Sequence, residues 1–243
     1  MSSLSGRIAV VTGASRGLGR AAAVALAKEG AHIIAMARTV GGLEELDDEI
    51  KAEGGSATLV PADLRDFEAH DRLGKAIFER WSKLDILVLN GAMLGPLTPL
   101  THIAPAQWSE ALDVNVTANW RLLRSLDLLL KRSDAARVIG VTSGIVKRPR
   151  AYVGAYAVTK AAFEMMMRTY AAECEDTGVR VNILDPGIAR TKMRATLMPG
   201  EDPMSLPAPE ELGPLFVALA QPSLTINGQI ALFPEWKKTG HLC

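Results

Sequence analysis

Two cysteines in 243 residues, Cys174 and Cys243, are too few for a disulfide framework and lack metal-ligand spacing. Cys174 sits in an alanine-rich helical pattern, which predicts a buried, inert thiol. Neither sign of charge is in excess: 27 basic and 27 acidic residues cancel, and the pI is about 6.9. The basic stripe of a nucleic-acid binder is therefore missing. No apolar run approaches the ~20 residues that span a bilayer, and the opening M-S-S-L-S-G-R has no long apolar core. The expectation is a soluble, cytoplasmic protein with no membrane or nucleic-acid partner, whose sequon Asn115-Val116-Thr117 goes unused. Internal repeats and low-complexity tracts are lacking too.

What is present is a regular alternation. Short apolar runs rich in β-branched residues predict buried strands at Arg7–Thr12, His32–Ala37, Ser56–Pro61, Asp85–Leu89, Arg137–Thr142, Val179–Leu184 and Gln229–Phe233. Between them lie helical patterns at Leu43–Glu53, Asp66–Trp81, Pro105 to about Lys131, Ala155 to about Thr177, and Pro209–Ala220. An alanine-rich helix also follows the first strand and closes at Gly30. The spacings leave no room for a linker. The prediction is an α/β fold: one doubly wound Rossmann-type domain over 1–243, with a mostly parallel seven-stranded sheet flanked by helices. The irregular stretch is 193–209, with Pro199, Pro203, Pro207 and Pro209. It is too proline-rich for one continuous helix. It reads as a lid over a substrate, or as a plain surface loop.

The first strand runs into G-A-S-R-G-L-G at Gly13–Gly19 and then into a helix. Glycines let backbone approach a phosphate closely, and the helix N-terminus adds amide donors and a positive dipole end. The second strand ends at Ala37 without the carboxylate that accepts from the 2′-OH of an NAD ribose. Arg38 follows it, and Arg16 lies in the glycine loop, so two guanidiniums are placed to clamp a 2′-phosphate. NADP(H) is the expected cofactor. Asp63, just past the third strand, is placed to accept from an adenine amino group; its other reading is the N-cap of the next helix.

The fifth strand delivers Ser143. Thirteen residues later comes Tyr156, and Lys160 stands four residues beyond it, on the same helical face. An ammonium ~5 Å from a phenol, at an effective dielectric of ~20, favours the phenolate by roughly 3 kcal/mol. That would move the phenol well below its usual value of about 10, and burial of the lysine would work against it. A Y-x-x-x-K pair alone is common in helices.

Together these pieces resemble the short-chain dehydrogenase/reductase family over essentially the whole chain. The matching residues are Thr12-Gly13-x-x-x-Gly17-x-Gly19, Asp63, Asn90-Gly91-Ala92, Asn115, Ser143, Tyr156-x-x-x-Lys160, and Pro186-Gly187 with Thr191. The resemblance implies a catalytic tetrad. Tyr156 would give the proton to a carbonyl oxygen, Ser143 would steady that oxygen, and Lys160 would lower the tyrosine pKa and hold the nicotinamide ribose. Asn115 would hold a water linking Lys160 to solvent. It also implies cofactor contacts from Gly13, Ser15, Arg16, Gly17, Leu18 and Gly19 at the phosphates. Arg38 would meet the 2′-phosphate, Asp63 and Leu64 the adenine, Asn90 the adenosine side, and Ile188 and Thr191 the carboxamide.

No metal is expected. Homodimers or homotetramers are implied, through helices near 105–131 and 155–177. Three features depart from the family pattern. Asn90-Gly91-Ala92 stands in place of Asn-Asn-Ala-Gly, and Leu232-Phe233-Pro234-Glu235-Trp236 in place of Asp-Gly-Gly. Asp176-Thr177-Gly178 lacks the basic residue of carrier-linked ketoacyl reductases. The expected activity is NADPH-dependent reduction of a small or medium ketone or 3-oxoacyl group, in a pocket with Met93, Leu94, Ile145, Val146 and Met193. A non-catalytic NADP(H) sensor and an NAD-linked alcohol dehydrogenase are the competing readings. The run Lys147-Arg148-Pro149-Arg150 reads as solvated, or as an attractor for an anionic tail such as a CoA phosphate.

Overall fold

The computed structural model describes residues 3–242; Cys243, expected to have no disulfide partner, lies outside them. The strands are β1 (Ile8–Thr12), β2 (His32–Ala37), β3 (Ser56–Pro61), β4 (Ile86–Leu89), β5 (Arg137–Val141), β6 (Arg180–Asp185) and β7 (Ile230–Leu232). They form one sheet in the order β3-β2-β1-β4-β5-β6-β7, and every pairing is parallel. The sheet is thus parallel throughout. β1, β4 and β5 are buried at every residue, because helices cover both faces and no strand residue there needs to be polar.

Side-chain alternation divides β1 between two cores. Ala9 and Val11 face α1 (Gly17–Lys28), α2 (Val40–Ala52) and α8 (Gly213–Ala220), with Leu26, Leu46, Ile50 and Phe216. Ile8 and Val10 face α3 (Phe67–Trp81), α5 (Ala118–Lys131) and α6 (Gly154–Glu173), with Ile77, Leu126, Phe163 and Met167. Gly140 in β5 leaves room for this second layer: a Cβ there would lie 2.9 Å from both Met167 Cε and Phe163 Cζ.

Several boundaries differ from expectation, each for a local reason. α2 starts at Val40, not Leu43, so two glycines lie inside the helix. A Cβ on Gly42 would sit 3.0 Å from that of Ser15, so the helix passes close against the glycine loop. The long helix from Pro105 is two helices, α4 (Pro105–Leu112) and α5, joined by a π turn over Asp113–Thr117. α6 stops at Glu173, where the Thr177 hydroxyl donates to the Cys174 carbonyl at 2.7 Å. Cys174 is buried, and burial raises its thiol pKa.

The expected helix at 209–220 divides into a 3-10 turn (Pro209–Leu212) and α8. Segment 193–209 contributes to α7 (Lys192–Leu197) and to a short 3-10 turn at Pro203–Ser205, with no continuous helix. β7 ends at Leu232, since Phe233 with Pro234 opens α9 (Phe233–Thr239). At the opposite, amino end of the sheet, Asp85 is fully buried. It accepts from Arg7 at 3.0 Å, Lys83 at 3.0 Å, Ser133 at 2.6 Å and the Ile8 amide at 2.9 Å. No helix of the described residues is long and apolar enough to cross a membrane.

Candidate active site

The strand order reverses between β1 and β4, and the carboxyl ends there open onto a cleft of about 680 Å³. Such a crevice is where open α/β sheets bind ligands. Thr12 organises its floor: the buried Oγ1 accepts from the amides of Asn90 (3.0 Å) and Gly91 (2.9 Å) and donates to the Val88 carbonyl (3.3 Å). Gly13 turns the chain at φ 65°, and a Cβ on Gly19 would fall 2.3 Å from the Gly13 carbonyl oxygen. The helix α1 therefore approaches the loop at a distance that only glycine permits. Its N-cap, Arg16, makes no side-chain cap and no acidic residue stands in the first turn. The free amides and dipole end are thus available to an anion.

This donor set fits a dinucleotide pyrophosphate. Ser15, Arg16, Gly17 and Leu18 line the cleft with Gly13, while Gly19 shapes it from behind. At Gly91, out of place in the sequence pattern, a Cβ would press on the flexible end of Leu64, with Cδ1 at 2.6 Å.

At the far end Arg38, Asp63, Leu64 and Asn90 line the cleft. Asp63 does not cap α3; that is Asp66, whose Oδ1 accepts from the Ala69 amide at 3.1 Å. Asp63 instead pairs with Arg65 at 3.1 Å and Arg38 at 3.6 Å, and Arg65 holds its carboxyl below the usual range. Arg38 remains 66% exposed and borders the cleft together with Arg16. Asn90 turns its amide into the fold, donating to the Thr12 carbonyl at 3.0 Å. Its side chain braces the glycine loop, a structural role the sequence reading missed.

Ser143, Tyr156 and Lys160 meet at the opposite end of the cleft. Ser143 follows β5, and its Oγ accepts from the Ile145 amide at 3.4 Å. Lys160 is buried and donates to the Val141 carbonyl at 2.7 Å; burial brings its pKa down to about 8. Tyr156 is pushed up to about 12 by burial, held back by hydrogen bonding with Ser143 and raised further by the charge of Asp185. The expectation that Lys160 lowers the phenol is corrected in this arrangement. The ammonium is directed at the Val141 carbonyl and stands 5.9 Å from the phenol ring centre, and burial is the largest influence on the phenol.

Asn115 makes tertiary contacts of its own. It lies in the π turn, buried, and its Oδ1 accepts from the Met93 amide at 2.8 Å. Its Nδ2 donates to the Met93 carbonyl and to Thr159 Oγ1, both at 2.9 Å. Both amide protons are spent on protein, so the side chain fastens the loop after β4 to α6. Ile188 is not brought to the cleft: Gly187, at φ 63°, turns it outward to 48% exposure, while Ala189 faces in. Thr191 does line the cleft, and its Oγ1 accepts from the Arg194 amide at 3.1 Å.

Of the expected pocket residues Met93, Leu94 and Met193 line the cleft; Ile145 and Val146 do not. Arg190, Lys192, Arg194 and Glu110 do, and the sequence reading passed over them. The three basic ones had a signal, their alternation at 190, 192 and 194; Glu110 had none. Arg194 is held by a bidentate pair with Glu201, at 2.5 and 2.7 Å. Among the described residues no group of three or more His, Cys, Asp or Glu is placed to hold a metal ion.

Residues 7–202 match the short chain dehydrogenase family. The chain is 35% identical over 219 residues to YciK of Escherichia coli K12, described as an uncharacterized oxidoreductase, covering 89% of this chain and 86% of that one. A short chain dehydrogenase structure from Pseudomonas syringae is 38% identical with a TM-score of 0.92, covering 95% of this chain and 96% of the other. One from Escherichia coli CFT073, complexed with NADPH, is 34% identical with a TM-score of 0.88, covering 95% and 98%. With a parallel sheet, a glycine-lined phosphate cradle and a Ser-Tyr-Lys cluster at one cleft, this chain belongs to the short-chain dehydrogenase family of oxidoreductases.

Proposed function

We propose that the protein is an NADP(H)-dependent carbonyl reductase acting on a small or medium ketone or 3-oxoacyl group. The observation that carries this reading is the meeting of Ser143, Tyr156 and Lys160 at the same cleft as the glycine cradle. Bound NADPH would supply the hydride for the carbonyl carbon. Tyr156 gives its proton to the carbonyl oxygen, and a phenol that stays protonated well above neutral pH is a competent donor in that direction. Ser143 steadies the oxygen as negative charge develops on it. Lys160 contributes a buried cation at the strand edge, and Asn115 fixes the Met93 loop beside it. Arg38 and Arg16 at the cleft support a preference for the 2′-phosphate, and segment 193–209 acts as a lid.

The Tyr156→Phe variant is expected to lose about a hundredfold or more in kcat while its NADPH affinity, followed by cofactor fluorescence, stays within about threefold of wild type. Full activity in that variant would sink the assignment. Arg38→Asp is expected to weaken NADPH binding by about tenfold or more relative to NADH, because a carboxylate repels the 2′-phosphate. Unchanged relative affinities would instead support an NAD-linked enzyme.

A further inference from the structure

The segment after the Pro186-Gly187 turn brings positive charge into the cleft that the chemistry above does not use. Arg190, Lys192 and Arg194 line it, in a chain whose formal net charge is zero. Among the described residues, the acidic ones lining the cleft are Asp63, Glu110 and Glu210, and the first two already pair with Arg65. Arg194 is taken up by Glu201. Arg190 has no such partner. It is half-buried, and its amide is fixed to the Pro207 carbonyl at 2.8 Å. Among the described residues its guanidinium has one polar contact, from Nη1 to the Met204 thioether at 3.0 Å. A thioether is a weak acceptor. Glu201 and Glu211, in and beside the lid, are held by Arg194 and Lys237. Lys192 is exposed and forms no ion pair among the described residues.

β6 lies beside β5 in the sheet, so the segment after β6 emerges next to the one that carries Ser143. Its start also reaches the phosphate cradle, since a Cβ on Gly17 would lie 3.6 Å from Thr191 Cγ2. The cofactor's own anions are nevertheless provided for. The glycine-loop amides suit the pyrophosphate, and Arg16 and Arg38 suit the 2′-phosphate. Arg190 and Lys192 are left over, in a cleft whose apolar lining includes Met93, Leu94, Met193 and Leu197. A half-buried guanidinium without an anion, in the same cleft as the proton donor, is placed to take an anion from the substrate. Its planar fork matches a carboxylate or a phosphate.

We propose that Arg190, supported by Lys192, binds an anionic group of the substrate, a carboxylate or a phosphate, on the lid side of the cleft. The substrate class is then an oxo acid or a phosphorylated ketone with an apolar body, not a neutral ketone. This rests on the carbonyl-reductase reading. Arg194, spent on Glu201, ties α7 to the rest of the lid and is no part of the anion site.

The test compares kcat/KM with NADPH on three probes: 4-oxopentanoate, its neutral methyl ester, and 3-oxobutyl phosphate. Wild type, Arg190→Gln, Arg190→Lys and Lys192→Gln are measured, and NADPH affinity is followed in each by cofactor fluorescence. Wild type is expected to prefer at least one anionic probe to the ester by about tenfold or more. Arg190→Gln should lose that preference with NADPH affinity within about threefold of wild type, and Arg190→Lys should recover part of it. Lys192→Gln should lower it by about threefold, as fits an exposed charge. Should Arg190→Gln not fold by thermal melting, Arg190→Lys and Lys192→Gln still decide the matter. The anionic probe that is preferred identifies carboxylate or phosphate. A wild type that handles the ester as well as both anionic probes overturns the proposal, as does a preference that survives in the variants. Weakened NADPH binding with equal loss on every probe would give these cations to the cofactor, and overturns it too. Wild-type protein that binds NADPH but turns over none of the probes refutes the carbonyl-reductase reading itself, and this inference with it.

Discussion

Tyr156 and Lys160 stand one helical turn apart, yet burial moves them in opposite directions, the phenol up to about 12 and the amine down to about 8. Each shift disfavours a charge in a site with little water. For Lys160 this bears on stability. Between pH 8 and 10.5 the unfolded chain holds a proton that the folded chain has lost, so the burial penalty is present in full below 8 and fades as pH rises towards 10.5. Lys160→Met is accordingly expected to be inactive but more stable at pH 7, by on the order of 1–3 kcal/mol even without the bond to Val141. That advantage should vanish near pH 10.5. Urea unfolding across that pH range measures it; a pH-independent difference would contradict the burial argument. The Tyr-Lys spacing was legible in the sequence. The direction in which Lys160 Nζ points was not, because it depends on the Val141 carbonyl, nineteen residues away in the chain.

At the scale of elements, the amino end of the sheet is held by charge and the carboxyl end by glycine. Asp85 ties β4 to β1 through the Ile8 amide and Arg7, and to the loop before β5 through Ser133. Removing it leaves Lys83 without its buried partner and the Ile8 amide without an acceptor. Asp85→Ala should therefore lose about 2–4 kcal/mol of stability in urea unfolding. Activity per folded molecule should stay near wild type, because the carboxyl end of the sheet is untouched. A loss below about 0.5 kcal/mol would mean that the buried charge stabilises nothing net.

The long helical pattern at 105–131 was read correctly as helical, but its π turn was not foreseen. Periodicity reports which residues are apolar. It does not report that Asn115 must reach Met93 and Thr159 at once, which the extra residue in the turn allows.

For the whole molecule, the outer face of the second helical layer carries apolar side chains that this chain leaves uncovered. Trp120 and Leu128 on α5 and Val158 and Met165 on α6 are exposed, Leu128 to 74% and Met165 to 64%. We propose that this face packs against a second copy of the chain, as the sequence resemblance implies. The double substitution Leu128→Asp with Met165→Asp is expected to reduce the mass by light scattering to that of one chain, about 26 kDa, with the fold retained by circular dichroism. An unchanged mass would place any interface elsewhere.

The sequence by itself determined the alternation of strands and helices, the parallel sheet and the glycine cradle, and it named Ser143, Tyr156 and Lys160. The elements and the cradle follow from local rules, side-chain periodicity and the conformational freedom of glycine; the three site residues were named through the family resemblance. Only the tertiary structure decided that Asn90 braces the glycine loop, that Asn115 is a clamp and that Ile188 turns away. In each case the partner is distant in the chain and is brought near by the order of strands across the sheet. Hydrogen bonding and desolvation depend on that proximity, which no local pattern encodes.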